Sequence, residues 1–175
     1  LENLTTGMYQ DSKVIYREYI QNACDQIDKA YNMRILHPGN PNSLSDLGSG
    51  RIDIWLDADK RTISIEDNAT GICEADFEKT LADIANSDKK LGEDKGFRGI
   101  GRLCGLAYCK ELVFTSTAKG ENTISIMRCD AIKMRELITE SEKGKKYTAS
   151  EVLSSIYEFD SKDTGDKESH WFKVE

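Results

Sequence analysis

The stretch from Ser12 to Tyr31, SKVIYREYIQNACDQIDKAY, constrains this chain most, because it carries the period of one amphipathic helix. At about 100° per residue, Tyr16, Ile20, Ala23, Cys24, Ile27, Ala30 and Tyr31 fall on one broad face. Glu18, Asn22 and Asp25 fall together on the other side, within roughly 60° of each other. One side suits a core. The other holds a carboxylate, a carboxamide and a second carboxylate, which by themselves are what the solvated face of any surface helix shows. Asp11 or Ser12 can cap the helix, which can run on to about Leu36. It must stop at His37-Pro38-Gly39-Asn40-Pro41-Asn42, a breaker cluster that holds both prolines of the chain. The residues before Ser12 read as an edge strand or an arm, and the linker continues through SLSDLGSG to Gly50.

Two alternating runs follow, Arg51–Leu56 and Arg61–Glu66, separated by Asp57-Ala58-Asp59-Lys60. Period-two alternation around a short polar turn predicts an antiparallel hairpin. Glu74 to Ala85 returns to helical spacing through Phe77, Leu81, Ile84 and Ala85. Asn86 to Lys95 is polar and lysine-bearing, and it ends in Gly96-Phe97-Arg98-Gly99-Ile100-Gly101-Arg102. Leu103–Tyr108 reads as a short helix, Glu111–Ser116 as a strand, Ala118–Asn122 as a turn and Thr123–Arg128 as another strand. Asp130–Gly165 is the least informative region: Asp130–Thr139 is open to a helix, and Thr148-Ala149-Ser150-Glu151 is a capping box ahead of Val152, Leu153 and Ile156. A charged turn over Asp160–Lys167 and a last strand over His170–Val174 complete the reading. Hairpins mixed with helices, without strict β-α-β alternation, predict an α+β fold in which helices cover one face of a mixed sheet.

Length allows one domain with a real core. The chain opens on Leu1 and its last strand breaks off at Glu175, which suggests a piece of something longer. A net charge of −7 argues against general nucleic-acid binding while leaving room for a locally basic pocket. No apolar run reaches the roughly 18 residues that a membrane span needs, so no membrane partner is expected, and the odd number of cysteines fits reduced thiols in a cytoplasmic protein. Cys24, Cys73, Cys104, Cys109 and Cys129 form no C-x-x-C pair and read as reduced thiols that serve as small buried hydrophobes.

Three elements carry chemistry. Asp67, at the end of a strand with Gly71 four residues on, is either an ordinary Asp/Gly-rich turn or a pocket carboxylate. An acceptor-only carboxylate suits an exocyclic amine such as that of adenine, and Gly71 lets the backbone approach the ring. Gly96-x-x-Gly99-x-Gly101 ahead of a helix is either a surface turn or a loop that aims N–H groups at phosphates. Lys89, Lys90, Lys95, Arg98 and Arg102 give that region a local positive surplus. The run before the loop, KKLGEDK, is not the hydrophobic strand that a dinucleotide-binding turn requires. Glu18 and Asn22 supply the rest: an amide oxygen one helical turn from a carboxylate can ligate Mg²⁺ while the carboxylate deprotonates a water.

In this order, Glu18-x-x-x-Asn22-x-x-Asp25, Asp67-x-x-x-Gly71 and Gly96-x-x-Gly99-x-Gly101 resemble the GHKL superfamily of ATPases, over about residues 12–117. The nearest flavour is the heat-shock-chaperone-like branch, since Ile84-Ala85-Asn86-Ser87 followed by lysines resembles the start of its lid. The resemblance implies a Bergerat fold, a two-layer α/β sandwich with a mixed, mostly antiparallel sheet and ATP between the layers. It implies that residues 1–175 form a single ATP-binding domain at the N-terminal end of a longer protein. Glu18 would be the general base, Asn22 the Mg²⁺ ligand, Asp25 a support for the nucleotide through water, and Asp67 the partner of the adenine amine. Gly71, Ile72, Asn86, Ser87, Arg98, Gly99, Ile100 and Gly101 would complete the nucleotide site, with Asn86–Arg98 as its lid. The implied activity is Mg²⁺-dependent binding of ATP and slow hydrolysis to ADP and phosphate, coupled to lid closure. Further domains of the same polypeptide, a protein client and a nucleotide-dependent dimer are the implied partners. A nucleotide sensor without turnover and a protein histidine kinase are the alternatives. Two departures stand out: Ala69 replaces the first Gly of the family's Asp-x-Gly-x-Gly, and Ser169-His170 stands about where its Gly-Thr belongs.

Overall fold

A computed structural model of the chain describes residues 13–39, 49–82 and 101–175. The architecture is an α+β sandwich of helices on an open six-stranded sheet. Helix α1 (Lys13–Asn32) is followed by strands β1 (Ile52–Asp57) and β2 (Thr62–Asp67), then α2 (Glu74–Ala82) and a 3-10 helix (Gly101–Ala107). Strands β3 (Glu111–Thr117) and β4 (Thr123–Asp130), helices α3 (Ala131–Glu142) and α4 (Ala149–Ile156), and strands β5 (Tyr157–Asp163) and β6 (Trp171–Val174) complete the chain. Sheet order is β1-β2-β6-β3-β4-β5, so the last strand is inserted between the second and the third. The pairs β1–β2, β2–β6 and β3–β6 run antiparallel.

Contacts divide the chain into two units. One consists of residues up to Glu18, Glu78–Val113 and Met127–Phe159. Its buried side chains come from the 3-10 helix (Leu103, Leu106), from β4 (Met127, Cys129) and from the packed pair α3 and α4 (Met134, Val152, Leu153, Ile156). Both of these helices start on a side-chain cap. Asp130 accepts the N–H groups of Ile132 and Lys133, and Thr148 with Glu151 forms the reciprocal capping box that the sequence predicts.

The other unit consists of Tyr19–Phe77, Phe114–Ile126 and Asp160–Glu175. Here the β1–β2 hairpin, β6 and the end of β3 share one register. Ile52, Asp67, Phe172 and Ser116 form a row across four strands on one face, and Asp53, Glu66, Lys173 and Thr115 form the adjacent row on the other. Phe114 and Phe172 stack with ring centroids 5.9 Å apart. Ala30 of α1 packs with Leu36 and Ala69, flanked by Ile27, Tyr31 and Ile35.

Three expectations need correcting. The buried stripe of α1 runs through Ile15, Tyr19, Ala23 and Ala30, whereas Tyr16 and Cys24 are exposed. The helix has more apolar residues than one packed face can hold, so periodicity fixed its type better than its phase. Asp160–Lys167 is not wholly a turn: β5 runs to Asp163, and the turn follows with Gly165 at φ +69°. Every residue of β5 after Tyr157 is exposed at least in part, on the terminal strand of the sheet, so no alternation marked it. Of the five thiols only Cys104 and Cys129 are buried. The expected arm before Ser12, the linker core, the end of the second helix after Ala82 and the Asn86–Arg98 lid lie outside the described residues.

Candidate functional site

Asp67 ends β2 as a carboxylate only 3% exposed. Its Oδ1 accepts the Ala69 N–H at 3.0 Å, an Asx-type turn that folds the loop back over the strand end. Burial, with a smaller contribution from neighbouring Glu66, pushes this carboxyl up to about 6, against the lowering effect of the Ala69 N–H. A carboxylate held so far from water depends on protein donors such as this N–H for its stabilisation.

The loop after Asp67 is tightly specified. Gly71 has φ +62°, and a Cβ there would lie 1.9 Å from the Thr117 carbonyl oxygen, so no side chain fits. Ile72 donates its N–H to Ser116 Oγ at 2.8 Å, and that hydroxyl donates to the Trp171 carbonyl, also at 2.8 Å. His170 Nδ1 lies 2.5 Å from the Ala69 carbonyl oxygen. Thr70 Oγ1 reaches Gln26 Oε1 of α1 at 3.4 Å. Ala69 itself is fully buried and has no positive φ, so its methyl, packed with Ala30 and Leu36, is accommodated without backbone strain. Beside the loop a cleft of about 270 Å³ is lined by Arg51, Glu66, Asn68 and His170 among others, on the side of β2 that Glu66 rather than Asp67 faces.

On α1 the three polar residues stand as the helical period dictates. Glu18 is partly exposed, with Oε1 3.5 Å from Arg17 Nη2. A Cβ on Gly101 would lie 3.1 Å from Glu18 Oε2, so the first residue of the 3-10 helix sits directly against this carboxylate. Asn22 is exposed, and Asp25 is exposed with its Oδ1 accepting from Gln21 Nε2 at 2.9 Å. Among the described residues no cluster of three or more His, Cys, Asp or Glu could hold a metal ion. An Asn22 oxygen alone suits Mg²⁺, which keeps most of its shell for water and substrate phosphates.

Asp67, Gly71 and Ile72 thus share one loop, and Glu18 and Gly101 touch. Asn86, Ser87, Arg98, Gly99 and Ile100 lie outside the described residues. Sequence reasoning passed over Ser116, although a signal existed: the inward positions of β3 read Leu112, Phe114, Ser116, and a hydroxyl in that series calls for a partner. Nothing local in the sequence announces that His170 would reach Ala69, 101 residues away in the chain. Among the described residues no helix is long and apolar enough to cross a membrane.

Residues 12–165 match the family described as histidine kinase-, DNA gyrase B-, and HSP90-like ATPase. The chain is similar to chaperone protein HtpG of Fusobacterium nucleatum, 28% identical over 156 residues that cover 81% of this chain and 25% of that protein. It is 32% identical to HtpG of Helicobacter hepaticus over 133 residues, covering 69% of this chain and 21% of that protein. With HtpG of Psychrobacter arcticus it shares 36% identity over 95 residues, 54% of this chain and 14% of that protein. The chain spans a quarter or less of the length of these curated relatives.

Proposed function

The chain belongs to the histidine kinase-, DNA gyrase B- and HSP90-like ATPases, and from that premise we propose that residues 1–175 form one ATP-binding module that hydrolyses ATP slowly to ADP and phosphate. Its cycle of lid closure and reopening drives conformational change in a longer, chaperone-like protein. The similarity to HtpG chaperones supports the chaperone-like setting. One observation carries the nucleotide reading: a buried carboxylate at the end of β2, clamped in a loop whose Gly71 admits no side chain.

In this reading Asp67 accepts the adenine amine, and the backbone at Gly71 and Ile72 borders the base. Glu18 orients and deprotonates the attacking water. Gly101, lacking a side chain, leaves the carboxylate room to turn toward that water. Asn22 offers its carboxamide oxygen to Mg²⁺, and Asp25 supports the nucleotide through water. The metal would neutralise phosphate charge as it develops. Asn86, Ser87, Arg98, Gly99 and Ile100 belong to the proposed lid and phosphate loop.

Glu18→Ala tests the assignment. ATP affinity should stay within about threefold of the wild type while phosphate release falls by about 100-fold or more. Unchanged turnover in the variant would remove Glu18 from its role. Tight binding with no phosphate release, even from the intact full-length protein, would favour a sensor without catalysis. Of the two grounds for a sensor, Ala69 in the binding loop and the altered last strand, the first is weakened by the strain-free seat of the Ala69 methyl.

A further inference from the structure

The Asp67 loop is gripped by two side chains to which the resemblance gives no role, and one of them, His170, stands where this chain departs from the family's Gly-Thr. Ser116, fully buried on β3, takes the Ile72 N–H at the exit of the loop. His170, at the entrance to β6, takes the Ala69 carbonyl in the middle of it. A carbonyl oxygen only accepts, so the short His170 contact requires the proton on Nδ1. Ala69 is therefore held from both ends: its N–H by the Asp67 carboxylate and its C=O by the imidazole. Any shift of Ala69 changes the bond that aims Asp67.

We infer that His170 is a positioning residue that sets the direction of the Asp67 carboxylate and, through it, selectivity for a 6-amino purine over a 6-oxo purine. The inference rests on the reading of Asp67 as the adenine partner. The chemistry is specific. An exocyclic amine donates to the carboxylate, whereas the oxo group of hypoxanthine presents a second acceptor and repels it. Discrimination then depends on where the oxygens point, and His170 fixes that through Ala69.

The probes are ADP and inosine diphosphate, which differ at position 6 of the base, titrated against the 175-residue chain. The wild type should prefer ADP by about tenfold or more. His170→Ala should collapse the ADP-to-inosine-diphosphate affinity ratio toward one, chiefly by weakening ADP. His170→Asn, whose Nδ2 donor can stand where the imidazole Nδ1 does, should hold the ratio within about threefold of the wild type. Partial unfolding scales both affinities alike, so the ratio separates positioning from loss of fold. An unchanged ratio in His170→Ala overturns the inference, as does parallel weakening of both nucleotides or a ratio lost equally in His170→Asn. A wild-type chain that does not distinguish the two nucleotides overturns the reading of Asp67 itself, and the inference with it.

Discussion

Asp67 places the proposed function and the stability of the fold in opposition. Its carboxyl rises from 3.8 to about 6 on folding, so the folded chain holds this proton more tightly than the unfolded one. The contribution to stability is complete below pH 3.8 and is lost as the pH rises through about 6. At neutral pH the ionised group costs roughly 3 kcal/mol, an order-of-magnitude figure at 1.36 kcal/mol per pH unit. Asp67→Asn keeps an oxygen acceptor for the Ala69 N–H and removes the charge. Chemical denaturation of the free chain at pH 7.5 should show a gain of about 1–3 kcal/mol, shrinking toward zero as the pH falls to 4. Nucleotide binding should move the opposite way in the wild type: ADP affinity should fall by up to about tenfold per pH unit below 6, as the acceptor takes up a proton. Gly71 makes the complementary case. Gly71→Ala forces a Cβ onto the Thr117 carbonyl and a side chain into a left-handed conformation, and should cost at least about 2–3 kcal/mol by denaturant titration.

Elements divide into those that position the loop and those that only support the fold. Helix α4 is of the second kind. Thr148→Ala breaks its capping box and should cost about 1 kcal/mol, with ADP affinity unchanged in the same preparation. Element types were legible wherever one side of the element meets a core. The hairpin follows from alternation, α4 from its capping box, and the strand over Glu111–Ser116 from its alternating Leu112 and Phe114, which the structure buries. Strand β5 escaped because its exposed, charged residues carry no periodicity, and α1 was misphased because its apolar stripe is wider than the face it buries, Ile15, Tyr19, Ala23 and Ala30 lying along one side of it. The turn at Asp67 and Gly71 was readable because only glycine tolerates such a close backbone approach. Its clamps at Ser116 and His170 were not, since they depend on inserting the last strand between β2 and β3.

At the scale of the molecule, a chain with a net charge of −7 is proposed to take a polyanion, which its average electrostatics oppose. In the proposed function, binding would come from local chemistry: a buried acceptor for the base, the glycine-rich loop for the phosphates, and Mg²⁺ to neutralise them. The most direct test is calorimetric titration of the wild-type chain and Asp67→Asn with Mg·ADP at pH 7.5. The account predicts a single saturable site in the wild type and at least about 30-fold weaker binding in the variant, although the variant is the more stable protein. No saturable heat from the wild type, or equal affinity in the two proteins, would contradict it.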